Sequence, residues 1–343
     1  MHAPLKSIAR GLIVAVLVCA TSAFAPGPQV LYRFTGQGDG ANPSGALVID
    51  HQGVLYGIAG QGGPGNSAVV YRAEPDGRGA WSERVVHAFA PAAAGEVPFA
   101  ALTIGREGAL FGSVSHYPNG SGAVFELSRS GDAWSYQAIA RFPGAGSQLG
   151  GFLSGNLLIG AQGQIIGVAY DGGDEAGSHP CDCGLIYSLA RPSNSGPWTE
   201  TVLSTFKRLP DGNNPYAGLT LGPAGSLFGT TSMGGTGRCL DGSGVVVVGC
   251  GTLFTLSSGK TQWLRADLYS FRQAGPSQPS DTLSLGPDDA LYGFDTLVAY
   301  RFAPPGVPGA DGSPPSSTIS PVGFPADRRS GRPCSTPRAT SMA

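Results

Sequence analysis

Two loops of the chain carry nearly the same polar residues. They read Asp39-Gly40-Ala41-Asn42-Pro43 and Asp211-Gly212-Asn213-Asn214-Pro215, so carboxylate and amide groups stand a few residues apart in both loops. Such groups can contact a ligand or a cation. The same residue types also form turns, because Asp-Gly suits a positive-φ turn and a residue before proline prefers an extended conformation. We favour turn formation, and ligand binding is the alternative for Asp39, Asn42, Asp211, Asn213 and Asn214.

The most acidic cluster of the sequence is Asp171-Gly172-Gly173-Asp174-Glu175. Three carboxylates could hold Ca²⁺, which takes about six to eight oxygen ligands. The run lacks the alternating spacing and the distal Glu of an EF-hand loop, so a solvated loop is favoured over a metal site. We therefore expect no cofactor, with calcium at Asp171, Asp174 and Glu175 as the alternative. The sequence contains no H-E-x-x-H, G-x-S-x-G or Walker motif, and it predicts no catalytic residue.

Cysteine spacing predicts two disulfide bonds. Cys239 and Cys250 enclose a loop of ten residues, and closing that loop would stabilise the fold by about 2–3 kcal/mol in the chain-entropy model. Cys181 and Cys183 flank Asp182, so their ring would be small and strained, and this second pair is less favoured. A metal or redox site is the alternative, but a secretory leader favours disulfides.

The first 25 residues have the pattern of a secretory signal peptide. Lys6 and Arg10 precede an apolar run at residues 11–20, and Ala23-Phe24-Ala25 matches a signal-peptidase site. Ten apolar residues are too few to span a bilayer, and no later segment is longer and equally apolar. The sequence thus predicts a secreted, periplasmic or cell-surface protein whose mature chain has no transmembrane segment.

Composition excludes several classes of protein. The chain has 343 residues, of which 55 are Gly and 28 are Pro; 13% are charged, and the net charge is −2. This much glycine and proline excludes a helix bundle, the low charge excludes a disordered polyelectrolyte, and the lack of basic excess argues against nucleic acid as a partner. What remains is a turn-rich β protein. Residues 303–343 are rich in Pro, Ser and Arg and are predicted to be a disordered tail; an altered reading frame near Ala303 is a hypothesis that would also explain this composition.

Five copies of one unit fill the region between these segments. Each copy has an aromatic residue or Ile followed by Gly, with a Leu ten residues before that Gly. The glycines are Gly57, Gly112, Gly167, Gly229 and Gly293, and the leucines are Leu47, Leu102, Leu157, Leu219 and Leu283. All four tryptophans share one repeat position, eight residues before a Phe, at Trp81, Trp134, Trp198 and Trp263. Repeats of about fifty residues with Gly-bearing turns indicate four-stranded blades of a β-propeller.

The two ends of the repeat region complement each other. Residues 30–34 match the fourth strand of a unit, whereas the fifth copy ends at residues 298–302, which match a third strand. The predicted fold is therefore all-β: residues 26–302 form a five-bladed β-propeller of four-stranded antiparallel blades, closed by the N-terminal strand pairing with the last blade. This pairing would remove an open sheet edge. An open solenoid is the alternative.

The repeat resembles the GloVer tandem repeat of secreted bacterial proteins. The best copy runs from Asn214-Pro215-Tyr216-Ala217-Gly218-Leu219 through Gly229-Thr230-Thr231 to Gly251-Thr252-Leu253-Phe254-Thr255-Leu256, and the resemblance covers residues 30–302. It implies an extracytoplasmic β-propeller-like protein. It implies no catalytic residue, and the C-terminal anchoring segment common in the family has no counterpart in residues 303–343.

The loop lengths predict where a ligand would bind. Long loops connect the fourth strand to the next first strand and the second strand to the third, so they share one face, near the axis of the ring. The predicted inner strands are residues 46–49, 101–104, 156–159, 218–221 and 282–285; they offer Asn156 and hydroxyl groups but no carboxylate, and Asp281 only borders the last of them. The four tryptophans could stack on sugar rings, but packing over the neighbouring blade is favoured.

These observations predict a secreted, non-catalytic binding or cell-surface interaction module. The partner would be an extracellular glycan or protein, and the chain is expected to be a monomer. The main alternative is an extracytoplasmic enzyme of lactonase or lyase type with a cation in the channel, and a structural surface-layer spacer is the third.

Overall fold

The computed structural model describes residues 29–91, 96–98, 100–116, 121–144, 147–173, 181–193, 196–207, 209–240, 246–272, 279, 281–294, 298–303 and 319–321. Within them the chain is all-β, with five small antiparallel sheets arranged in a ring and no α-helix. The prediction of a five-bladed β-propeller is confirmed. The predicted signal peptide at residues 1–25 and most of the predicted tail lie outside the described residues.

The first three blades follow one another along the chain. The first consists of β1 (Ala41–Ile49), β2 (Leu55–Gln61), β3 (Val69–Pro75) and β4 (Trp81–Ala88). The second has an inner position divided between two short strands, and consists of β5 (Glu96–Pro98), β6 (Thr103–Ile104), β7 (Leu110–His116), β8 (Ser121–Ser130) and β9 (Ala133–Phe142). The third consists of β10 (Leu158–Ile159), β11 (Ile165–Ala169), β12 (Leu185–Ala190) and β13 (Thr199–Thr205).

The fourth blade carries two additional two-stranded sheets in its loops. The residues after β13 form β14 (Gly212–Asn213), β15 (Thr220–Leu221), β16 (Leu227–Thr230), β17 (Met233–Gly234), β18 (Arg238–Leu240), β19 (Val246–Val248), β20 (Thr252–Ser258) and β21 (Trp263–Ser270). The blade is the sheet β15-β16-β20-β21, while β14 pairs with β17 and β18 pairs with β19. The fifth blade consists of β22 (Ser284–Leu285), β23 (Leu291–Phe294), β24 (Ala299–Phe302) and β25 (Ile319–Pro321).

The repeated glycine of each unit makes room for an aromatic ring on the third strand. Gly57 pairs directly with Tyr71, and the other four glycines pair with Phe125, Tyr187, Phe254 and Tyr300. A Cβ atom on Gly57 would lie 2.5 Å from the Tyr71 hydroxyl, closer than two such atoms can approach. The Gly of the repeat signature is therefore needed because a third-strand ring lies against it on the second strand.

Neighbouring blades are joined by buried aromatic pairs. A Phe at the end of the fourth strand or one residue after it contacts the third-strand aromatic ring of the next blade, with ring centroids 5.4 Å apart for Phe89 and Phe125 and 4.7 Å apart for Phe142 and Tyr187. Phe206–Phe254 and Phe271–Tyr300 repeat this contact. Fully burying such a side chain contributes about 1.5–3 kcal/mol, so these interfaces hold the ring together.

The tryptophans pack between blades, as expected. Trp134 meets Tyr56 of the first blade and Trp198 meets Phe111 of the second blade, each at 6.0 Å between ring centroids. Trp263 packs against the apolar cluster between the third and fourth blades. The packing interpretation is confirmed for these three residues.

The closing strand of the fifth blade differs from the predicted one. The outer partner of β24 is β25, with Arg301 opposite Ser320, and residues 29–35 belong to none of the described strands. The Phe34 and Tyr71 rings nevertheless pack together, with centroids 4.8 Å apart, which repeats the Phe–aromatic contact of the other units. Residues 319–321, assigned by the sequence to a disordered tail, form this edge strand; Pro321 suits an edge because it has no N–H to donate.

Candidate functional site

A cavity lies on the axis of the ring, at the start of the five inner strands. It encloses about 480 Å³, and every blade contributes the two residues that precede its repeat leucine. These are Gly45 and Ala46, Ala100 and Ala101, Gly155 and Asn156, Ala217 and Gly218, and Asp281 and Thr282; Ser154, Tyr216 and Phe294 complete the wall. The volume falls within the range of about 300–1,000 Å³ that is usual for small-molecule sites.

Small residues line the cavity because the inner strands approach one another closely. A Cβ atom on Gly155 would lie 2.7 Å from the backbone of Gly218, and one on Gly218 would lie 2.8 Å from the backbone nitrogen of Asn156. Larger side chains would force the third and fourth blades apart. The same crowding brings backbone groups of adjacent blades within hydrogen-bonding distance.

Polar side chains of the inner strands connect adjacent blades. The Asn156 Oδ1 accepts a hydrogen bond from the Ala101 N–H at 2.9 Å, and the Thr282 Oγ1 accepts one from the Gly218 N–H at 3.1 Å. The Thr103 hydroxyl donates to the Leu157 carbonyl at 2.6 Å. Asn156, a sequence candidate for ligand binding, therefore lines the cavity, but its carbonyl oxygen already stabilises the ring.

Asp281 is the single charged residue in the described wall of the cavity. It is exposed, and it stands two residues before Leu283, where the other units have Gly45, Ala100, Gly155 and Ala217. The sequence placed Asp281 only at the border of an inner strand. Aligning the residues before the repeat leucines would have found it, because four units have Gly or Ala at that position and one has a carboxylate.

Two aromatic residues share the cavity wall with Asp281. Tyr216 belongs to the cavity wall and forms a cluster with Tyr170 and Phe152, with ring centroids 6.1 and 6.4 Å from that of Tyr216. Phe294, the last residue of β23, is exposed and also lines the cavity. Neither Tyr216 nor Phe294 was identified from the sequence, because both lie outside the repeated aromatic positions.

The first polar loop anchors the N-terminal segment. Both Asp39 carboxylate oxygens accept hydrogen bonds: Oδ2 from the Thr35 N–H and the Tyr32 hydroxyl, and Oδ1 from the Thr35 hydroxyl, at 2.8–2.9 Å. Desolvation raises the pKa of Asp39, but these hydrogen bonds outweigh it and lower the pKa to about 2. Asn42 adopts a positive φ of 53° and donates to Gln61.

The second polar loop has an equally structural role. Arg265 donates to the Asp211 carboxylate at 2.8 Å, and the Asn214 side chain donates to the carbonyls of Tyr170 and Asp182. Asn214 has a positive φ of 56°, as Asn42 does. The prediction that the residue before each proline is extended is therefore wrong at both positions. The Asn213 Nδ2 lies 4.0 Å from the Cys183 sulfur. Neither loop contributes these residues to the described cavity wall.

The acidic cluster is only partly described. The Asp171 carboxylate accepts hydrogen bonds from the Gly151 and Phe152 N–H groups at 2.6 and 3.1 Å, which ties its loop to the chain before β10. Asp174 and Glu175 lie outside the described residues. No group of three His, Cys, Asp or Glu side chains with metal-binding geometry occurs in the part of the chain that is described.

Both predicted disulfide bonds are present. Cys239 pairs with Cys250 and Cys181 pairs with Cys183, with Cα atoms 5.8 and 5.1 Å apart. Cys239 and Cys250 are buried in the apolar cluster that joins the fourth and fifth blades.

The described residues include no helix of the length and apolar character needed to cross a membrane.

Comparison with known proteins gives only distant structural likenesses. No family profile and no curated protein sequence matches the chain. Among solved structures, the α-L-arabinanase of Penicillium chrysogenum in complex with arabinobiose is 15% identical, with a TM-score of 0.47 over 76% of this chain and 81% of that one. A putative 6-phosphogluconolactonase of Bacteroides uniformis is 13% identical, with a TM-score of 0.41 over 80% of this chain and 83% of that one. Likenesses this low carry no argument about this chain.

Proposed function

We propose that the protein is an exported, non-catalytic β-propeller whose axial cavity binds a neutral, hydroxyl-rich ligand such as a short glycan segment. The observation that carries this proposal is that the exposed residue Asp281 and the aromatic residues Tyr216 and Phe294 line the same cavity. The resemblance to the GloVer repeat implies an extracytoplasmic location and so supports the exported part of this proposal.

The chemistry of the cavity suits a sugar better than an apolar or anionic ligand. Aromatic rings pack against the apolar face of a sugar ring, and the carboxylate of Asp281 can accept hydrogen bonds from two neighbouring hydroxyl groups. Hydrogen bonds to a charged group contribute about 1.5–3 kcal/mol each. The small residues around them leave the space that the ligand would fill.

The enzyme alternative requires a cation in the same channel. Calcium takes about six to eight oxygens, usually with several carboxylates among them. The described wall supplies one carboxylate, and the side-chain oxygens of Asn156 and Thr282 already accept backbone hydrogen bonds. These residues do not fit a calcium site, and no observation favours the enzyme over the binding module.

A glycan panel with matched aspartate variants tests the proposal. We expect calorimetric titration of the full chain to find a neutral oligosaccharide whose affinity falls about tenfold in Asp281→Asn, in line with one charge-assisted hydrogen bond. Tyr216→Leu should weaken binding by a similar factor or more. Asp289→Asn is the control, because Asp289 is exposed on the same blade but belongs to the β22–β23 turn.

Two outcomes would contradict this assignment. Equal affinity of the Asp281→Asn and Asp289→Asn variants for the ligand would show that the ligand does not bind in the axial cavity. Saturable calcium binding that is lost in Asp281→Asn would support the enzyme alternative instead.

A further inference from the structure

A second cavity lies between the second and third blades, on the face opposite the axial cavity. It also encloses about 480 Å³, and it opens at the turns that connect the first and second strands of the two blades. Its floor is apolar and its rim is polar. The floor consists of Ala109, Phe111 and Ile159, and the rim includes Arg106, Glu107, Glu126, Ser128, Arg129, Gln137, Gln162 and Arg191. We call this cavity the arginine groove.

One arginine of the groove is held in place by its neighbours. The Arg191 guanidinium donates to the Glu126 carboxylate at 2.6 Å and lies over the Trp198 ring at 4.7 Å. The Glu126 side chain is only 9% exposed, whereas that of Arg191 is 55% exposed. Glu126 and Trp198 therefore hold Arg191, which also lines the groove.

The other two arginines have donors to spare among their described contacts. An Arg106 N–H reaches the Ala161 carbonyl at 3.4 Å, and Arg129 donates to the Gly131 carbonyl at 2.8 Å and approaches the exposed Asp132 at 3.5 Å. A guanidinium group carries five N–H donors in a planar arrangement that matches a carboxylate. With three arginines and two glutamates, the rim carries a net charge of about +1.

From this arrangement we infer that the arginine groove is a second binding site, which takes a small sugar acid: a polyhydroxylated ring with one carboxylate. Arg106 and Arg191 bind the carboxylate, and Ser128, Gln137 and Gln162 exchange hydrogen bonds with the hydroxyl groups. Phe111 and Ile159 support the apolar face of the ring. Glu126 disfavours doubly charged anions, because a second negative charge on the ligand would lie near its carboxylate.

Calorimetric titration with three probes tests the class of ligand. The full chain is titrated with galacturonate, with the neutral sugar galactose and with inorganic sulfate. We expect saturable binding of galacturonate that weakens as salt is added, because the attraction is partly between exposed charges. Galactose and sulfate should bind at least tenfold more weakly.

Paired variants of opposite sign locate the site. Arg106→Gln should weaken galacturonate binding about tenfold, whereas Glu126→Gln should strengthen it, because it removes a negative charge from the groove and leaves Arg191 free for the ligand. Arg78→Gln is the matched control: Arg78 is exposed in a turn on the same face of the first blade, away from the groove. Thermal unfolding shows that each variant is folded, and neutral-glycan binding in the axial cavity should be unchanged in all three.

Several results would overturn the inference. Absence of galacturonate binding would exclude the site, and equal binding of galactose would show that the arginines do not select a carboxylate. Sulfate binding as strong as galacturonate binding would indicate a general anion site. An equal loss of affinity in Arg78→Gln and Arg106→Gln would show nonspecific attraction to the charged face.

Discussion

Leu157 and Leu47 occupy the same repeat position in two different blade junctions. Leu157, between the second and third blades, is 5% exposed and packs in a cluster with Phe142 and Tyr187. Leu47 belongs to the first blade at its junction with the fifth, and it is 54% exposed. The repeat fixes where a side chain stands within its blade, but the adjacent blade supplies the partner that buries it.

The largest difference expected between the two junctions is in how much the free energy of unfolding falls when each leucine is replaced by alanine. Leu157→Ala should lower the free energy of unfolding by about 2–5 kcal/mol, because it leaves a cavity in a closely packed interface. Leu47→Ala should change it by no more than about 0.5 kcal/mol, as is usual for exposed positions. Urea unfolding followed by tryptophan fluorescence measures both. Equal losses would show that Leu47 is buried in solution and that the junctions are equivalent.

The disulfide beside the fifth blade gives the next largest effect. Cys239 and Cys250 lie in the cluster that also contains Phe271, Leu283 and Tyr300, so their bond secures the junction between the fourth and fifth blades. Replacing both by Ser should lower stability by about 2–3 kcal/mol in the chain-entropy model. The same change at Cys181 and Cys183, which close a much shorter loop, should cost less. Differential scanning calorimetry of the two double variants measures both losses. A larger loss of stability in the Cys181 and Cys183 variant would contradict this prediction.

The smallest expected effect concerns a pair of glutamates at equivalent positions, each two residues after a repeat tryptophan. Glu200 lies at the junction of the second and third blades, and Glu83 faces the N-terminal segment at the first blade. Burial raises the pKa of both, and for Glu83 the nearby Asp39 carboxylate adds to this and raises the pKa to about 7.

A raised pKa means that the folded protein binds the proton more tightly than the unfolded chain does. The contribution of Glu83 to the free energy of unfolding is therefore largest below the ordinary glutamate pKa. It falls as the pH rises towards 7 and stays reduced at higher pH. Glu83→Gln should be as stable as the parent near pH 4 and more stable at pH 8, by about 1 kcal/mol or less once solvent screening is allowed for. Thermal unfolding across this pH range measures the difference, with the exposed Glu107→Gln as control. A gain of equal size at pH 4 would rule out titration as its cause.

Local chemistry in the sequence was sufficient for much of the architecture. The repeated Gly had to recur because each blade places a third-strand ring against its second strand, so the number of repeats predicted the number of blades. Short cysteine loops gave both disulfide pairs, since their closure depends on nearby residues. The closing strand could not be predicted in this way, because residues 319–321 lie in a segment whose composition predicts disorder and only the fold places them beside β24.

The candidate sites depend on contacts that the sequence does not encode locally. Asn156 appeared free to bind a ligand, yet its side chain bonds Ala101, which lies 55 residues away in the chain. Asp281 appeared peripheral, yet it lines the axial cavity, and Arg106 and Arg191 line one groove only because two blades pack together. By itself the sequence determined the repeat, the blade number and the disulfides, because these follow from neighbours along the chain. The tertiary structure alone decided the cavities and the polar groups that line them, because each cavity is formed by residues from different blades.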